Sequence, residues 1–160
     1  MTSAQAVAAL IRMMPEPISV AQLDEYGVIA SDADVQTISR EILSLNLYWI
    51  LAAVDAHIPF KYRAGIIDAL LESIKSAWWE TGKIGPGAWD DYRMESEERR
   101  VEYGRLVDQE GMNPTAVSAA AASWIEDQGG VSQEDRSKLL VLLIDCAPAS
   151  EYGKLLEEAV

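Results

Sequence analysis

The sequence predicts an all-α fold, a compact irregular bundle of about seven or eight helices, and three observations carry that expectation. Apolar residues recur at spacings near the helical period; Ser, Asp and Asn stand where helices would begin; and runs of strict alternation between hairpin turns are absent. A chain of 160 residues suits one helical domain over 1–160, large enough to bury roughly two-thirds of its unfolded surface. Its 49% hydrophobic content is that of a globular protein, since a disordered chain of this charge would carry far fewer Leu, Ile and Val.

Ser3 is placed to cap a first helix bearing Val7, Leu10, Ile11 and Met14, which Pro15 and Pro17 stop. Ser19 opens a short helix to Tyr26, with Gly27 just past its end. Asp32 or Asp34 then caps a long helix with two apolar stripes, one of Val35, Ile38, Ile42, Leu45, Trp49 and Ala53, the other of Leu43, Leu47, Ile50 and Val54. A helix apolar on two sides packs on two sides, so this one is expected at the centre of the bundle. Its run 42–54, interrupted by Ser44 and Asn46, is shorter than the ~20 residues of a membrane span.

Pro59 suits the first position of the next helix, with Ile67, Leu70, Leu71, Ile74 and Trp78 inward and an end near Thr81 and Gly82. The segment 82–87, with three glycines and Pro86, is the clearest linker in the chain. A helix over 89–108 follows, the least apolar of all and expected outermost, with Glu95 and Arg99 at the favourable four-residue spacing. Gly111 ends it. Asn113 and Pro114 start another, with Val117, Ala120, Ala121, Trp124 and Ile125 inward and Gly129-Gly130 as its stop. Ser132 and Asp135 resemble a capping box ahead of the apolar run 139–146. Pro148 breaks that run, and Ser150 is placed to cap a last helix presenting Tyr152, Leu155, Leu156 and Ala159.

The net charge of −13 comes from 26 acidic against 13 basic residues and is spread along the chain. Such a field repels nucleic-acid phosphates and anionic lipid, and it speeds encounter with basic partners. Direct nucleic-acid and membrane binding are therefore not expected. A loose helix-turn-helix likeness at 20–40 has too long a turn and is crowded by Asp24, Glu25, Asp32, Asp34 and Glu41. The single cysteine, Cys146, rules out an intrachain disulfide and reads, with no cation ahead of the first apolar stretch, as a cytoplasmic location.

No catalytic residue, metal-ligand set or cofactor is nominated. His57 is the only histidine and is read as a helix-end residue that satisfies the last carbonyls. The glycines of 82–87 lack the phosphate-loop pattern, and the acidic pairs lack calcium-loop spacing.

Aromatic and acidic residues do coincide around the linker. Trp78 and Trp79 are adjacent, about 100° apart on a helix, so one of them is left over for the surface. The expected partner-binding set is Trp79, Trp89, Asp90, Asp91, Tyr92, Glu95, Glu97 and Glu98, because aromatic anchors rimmed by charge concentrate binding energy. Against this stands the reading in which Trp79 and Trp89 fold over each other as a satellite core beneath the linker.

The function expected is a non-enzymatic acidic interaction module, an inhibitor, immunity or anti-defence protein that binds a basic, nucleic-acid-handling partner. The alternative is a small helical enzyme or ligand-binding domain with a pocket near His57 and Trp78. A homo-oligomer is a third reading, since 132–147 is apolar enough to be buried on two sides.

Overall fold

In a computed structural model that describes residues 1–111, 113–129 and 131–159, the regular structure among those residues is helical throughout. Helices α1 (Ser3–Met13), α2 (Val20–Glu25), α3 (Asp32–His57), α4 (Phe60–Ile74), α5 (Trp89–Glu110), α6 (Pro114–Asp127), α7 (Arg136–Asp145) and α8 (Ala149–Ala159) follow in chain order.

Three of them begin with the same reciprocal device. Thr2 caps α1 with Gln5, Ser19 caps α2 with Gln22, and Ser31 caps α3 with Asp34; in each, the hydroxyl accepts from the backbone three residues on and that side chain accepts from the cap's own N–H. The caps of α1 and α3 thus fall one residue before Ser3 and Asp32, since the cap must stand three residues ahead of its reciprocating partner. Gly27 and Gly111 take positive φ just past α2 and α5, as their positions required.

Other boundaries shift for equally local reasons. Pro59 is the cap residue of α4 and not its first residue. That helix turns a tighter core face than expected, burying Ile66 and leaving Ile67 partly exposed. Beyond Ile74 the chain widens into a π-helical turn, Lys75–Trp79, before the linker. Ser132 makes no side-chain cap and precedes a single 3-10 turn, Gln133–Asp135. The last helix starts at Ala149, directly after Pro148, which puts Ser150 inside it. Of its expected inward face Tyr152 and Leu156 are buried and Leu155 partly so; the Ala159 side chain and Gly130 lie outside the described residues.

The central position expected of α3 holds. It packs against α4, α5, α6 and α8, and every residue from Glu41 to Ile50 is buried. Polar groups inside such a helix must find partners, because an unpaired buried polar group costs about 1–3 kcal/mol. Those of Ser39, Glu41, Ser44 and Asn46 do so on the chain packed around α3, while Trp49 Nε1 is buried without a partner among the described residues. Ser39 Oγ accepts from the Ile18 backbone N–H at 3.1 Å, and Ser44 Oγ meets the Tyr92 hydroxyl of α5 at 3.2 Å. Asn46 donates to the Cys146 carbonyl after α7 at 2.9 Å and accepts from the Tyr152 hydroxyl of α8 at 2.7 Å. Glu41 receives Arg99 of α5. These contacts fix the rotation of α3, which a purely apolar helix would leave loosely specified.

Helix α7 packs chiefly against α6, with Tyr26 at the end of α2 donating to its Asp145, and Val141 and Ile144 are exposed.

Candidate functional site

The structure separates the aromatic from the acidic members of the expected site. Trp78 is buried, and Trp79, the next residue of the π turn, is the one left partly exposed. Trp79 Nε1 donates to the Gly87 carbonyl at 3.0 Å, and its ring lies 6.3 Å from that of Trp89. Trp89 lies in turn 5.5 Å from Tyr92. Tyr92 is fully buried, which corrects its place on the surface: its ring lies 5.1 Å beneath the Arg40 guanidinium and its hydroxyl bonds Ser44. Burial raises the Tyr92 phenol well above its ordinary value.

Arg40 also donates to the Ile84 carbonyl at 3.3 Å and pairs with Glu95, while Gln36 donates to the Gly82 carbonyl at 3.3 Å. The Trp79, Trp89 and Tyr92 rings therefore work as a clasp that fastens the 82–87 linker to the first turns of α3 and α5.

The carboxylates stay outside. Asp90, Asp91, Glu97 and Glu98 are exposed and Glu95 is half-buried. They do not form one cluster. Glu97 turns toward Arg100, 3.4 Å away, whose other nitrogen reaches Asp55 of α3 at 3.3 Å. Asp91, Glu95 and Glu98 line an open cleft of about 460 Å³ between α5 and α6, together with Met94, Arg99, Trp124 and Gln128.

At the floor of that cleft lies a charged group with no counterpart in the expected site. Arg99, 5% exposed, forks onto Glu41, with Nη2 2.8 Å from Oε1 and Nε 3.2 Å from Oε2. Its Cζ lies 3.8 Å from the centre of the Trp124 ring, and Gln128 Nε2 donates to Glu41 at 3.3 Å. Burial pushes the Glu41 carboxyl above its ordinary value, opposed by the hydrogen bonds and charge of Arg99. Burial works against the Arg99 cation too, but its bonds to Glu41 outweigh this and hold it protonated.

A second cleft of about 270 Å³ continues between the same helices, lined by Glu102, Leu106, Ala120, Ser123, Trp124 and Asp127. Trp124 walls both and donates from Nε1 to Glu102 at 3.2 Å. A third cleft, about 350 Å³, lies where α1 meets the start of α4, lined by residues such as Ala6, Ile58, Tyr62 and Ile66. None of the three is lined by His57, which ends α3 with Nε2 close to Gly153 of α8. Among the described residues no three His, Cys, Asp or Glu side chains are grouped to hold a metal ion, and no helix is long and apolar enough to cross a membrane.

Compared with known proteins, the chain matches no family model, no curated protein and no solved structure.

Trp124 on α6 and Gln128 just past its end were not among the expected site residues. A signal for Trp124 was present in its small-residue surroundings, which bring α6 close to its neighbours; nothing local marks Gln128.

Proposed function

We propose that the protein is a non-enzymatic interaction module that recognises a basic protein partner, as an inhibitor, immunity or anti-defence protein acting on nucleic-acid-handling machinery in the cytoplasm. The observation that carries this reading is the net charge of −13 combined with a run of solvent-facing carboxylates on α5. A helical body with this field accelerates encounter with cationic surfaces and disfavours acidic competitors, an effect on rate and selectivity more than on raw affinity.

The test is affinity capture from a lysate of the native host at about 50 mM and about 500 mM salt, with the retained protein identified. A basic protein held at low salt and released at high salt is the expected result. Changing Asp90, Asp91, Glu97 and Glu98 together to Lys should cut its association rate by about tenfold or more, with circular dichroism confirming that the variant keeps its helical fold. Retention of acidic proteins only, or of none, overturns the reading.

A further inference from the structure

Four carboxylates of α5, on Asp91, Glu95, Glu98 and Glu102, follow one another at intervals of four, three and four residues. On a helix rising ~1.5 Å per residue this makes a single stripe about 16 Å long. The stripe borders the α5/α6 groove formed by the two clefts, and Asp127 of α6 adds a carboxylate from the opposite wall. Asp91, Glu98 and Asp127 make no ion pair among the described residues. The groove is not purely acidic: Trp124 stands at its middle, and Met94, 67% exposed, lies at one end.

Arg99 displays the chemistry such a groove suits. It stacks on Trp124 while its planar fork meets a carboxylate. An arginine arriving from solvent would find unpaired carboxylates beside an indole that already carries Arg99 on its ring. Lysine would gain less, because a point ammonium neither stacks nor binds in a fork. Phosphate-bearing partners are repelled.

The geometry points to the α5/α6 groove as the docking site for a partner-protein helix that carries arginines at three- and four-residue spacing, their guanidinium groups reaching Asp91, Glu98 and Asp127 around Trp124 and Met94. This rests on the interaction-module reading and names the surface and side chain that serve it.

The experiment uses fluorescence anisotropy with a labelled helical peptide bearing arginines at the four-three-four spacing in an alanine and glutamine background, at about 150 mM salt. A lysine version and an arginine peptide of scrambled spacing serve as references. The arginine peptide should bind about tenfold more tightly than either. The variant Asp91→Asn/Glu98→Gln/Asp127→Asn should weaken it about 30-fold, whereas Asp90→Asn/Glu97→Gln/Asp108→Asn, equal in charge change but off the groove, should stay within about twofold. All six positions are exposed, and circular dichroism confirms that both variants fold.

Equal weakening by the two variants, equal binding of the three peptides, or displacement by spermine at matching concentration would overturn the groove assignment and leave the interaction-module reading standing. If neither these peptides nor any basic host protein is retained at about 50 mM salt, both fall.

Discussion

Glu41 and Arg99 form an ion pair inside the fold, where each charge depends on the other for the solvation it has lost. Deleting Arg99 strands a carboxylate that is 1% exposed, with Gln128 as its remaining partner. Arg99→Leu should therefore cost about 3–5 kcal/mol, while Glu41→Leu/Arg99→Leu, which removes both charges, should recover most of that loss. Urea denaturation of the two singles and the double supplies the coupling, and a value below about 0.5 kcal/mol would show that the pair is not energetically linked.

Tyr103 presents the opposite case: its hydroxyl is buried with no hydrogen-bond partner among the described residues. Tyr103→Phe should leave stability unchanged or raise it by up to about 1 kcal/mol, and a clear loss would mean that the hydroxyl is satisfied.

Tyr26 gives a pH signature. Its phenol donates to Asp145 at 2.6 Å; that hydrogen bond first, then burial and the Asp145 charge, push it from 10.0 up to about 12. The folded chain holds this proton more tightly than the unfolded one. The contribution is therefore complete below the unfolded value of 10.0 and disappears as pH climbs to about 12. In a partly solvated setting the bond is worth less than about 1 kcal/mol, so the stability gap between wild type and Tyr26→Phe should be small at pH ~8 and narrow further by pH ~11.

At the level of elements, Asn46 shows how a helix can be positioned by one residue. It joins α3 to the end of α7 and to α8 at once, and its donor also reaches the Ile42 carbonyl at 2.8 Å. Asn46→Leu would leave the buried Tyr152 hydroxyl and the half-buried Cys146 carbonyl without that partner, at a cost of about 2–3 kcal/mol. Amide hydrogen exchange should show the loss in α8 more than in α5, since α5 is held to α3 by Ser44 and Glu41. Equal loss in both helices would contradict this division.

The periodicity that revealed α3 treated Asn46 and Ser44 as interruptions. A partner a hundred residues away leaves no trace in local spacing, although a polar residue inside a doubly apolar helix is itself a sign that one exists. The starts of α1, α2, α4, α5 and α6 were legible to within a residue because capping is a local event, whereas α7 and α8 begin at Arg136 and Ala149, away from the expected caps Ser132 and Ser150. The burial of Tyr92 was harder to read, since α5 is polar over most of its surface. Its buried residues, Tyr92, Arg99 and Tyr103, nonetheless stand seven and four apart, a one-sided spacing hidden by the expectation that arginine faces water. The clasp of Trp79 on Trp89 was the competing reading of the linker, and the geometry has that form.

Across the whole molecule, the same excess of carboxylates acts on folding and on association with opposite sign. In the folded state 26 acidic side chains share a compact surface with 13 basic ones, and several of those bases are committed to pairs such as Arg40–Glu95, Arg99–Glu41 and Arg136–Glu126. The carboxylates left over repel one another, and unfolding relieves that repulsion by spreading them apart. Salt screens exposed charges beyond about 8 Å at physiological ionic strength and far less within buried pairs, so it should weaken the repulsion while sparing Glu41–Arg99. Raising NaCl from about 20 mM to about 500 mM should then lift the melting temperature by a few degrees, since ~1 kcal/mol corresponds to about 2–4 °C in a domain near this size. Association with a basic protein should move the other way over the same range, chiefly through a slower on-rate. Calorimetry and stopped-flow measurements on one salt series therefore test a single cause through two opposed responses. A melting temperature indifferent to salt would show that the surplus carboxylates are too widely spaced to strain the fold, and an on-rate indifferent to it would show that they do not steer a partner.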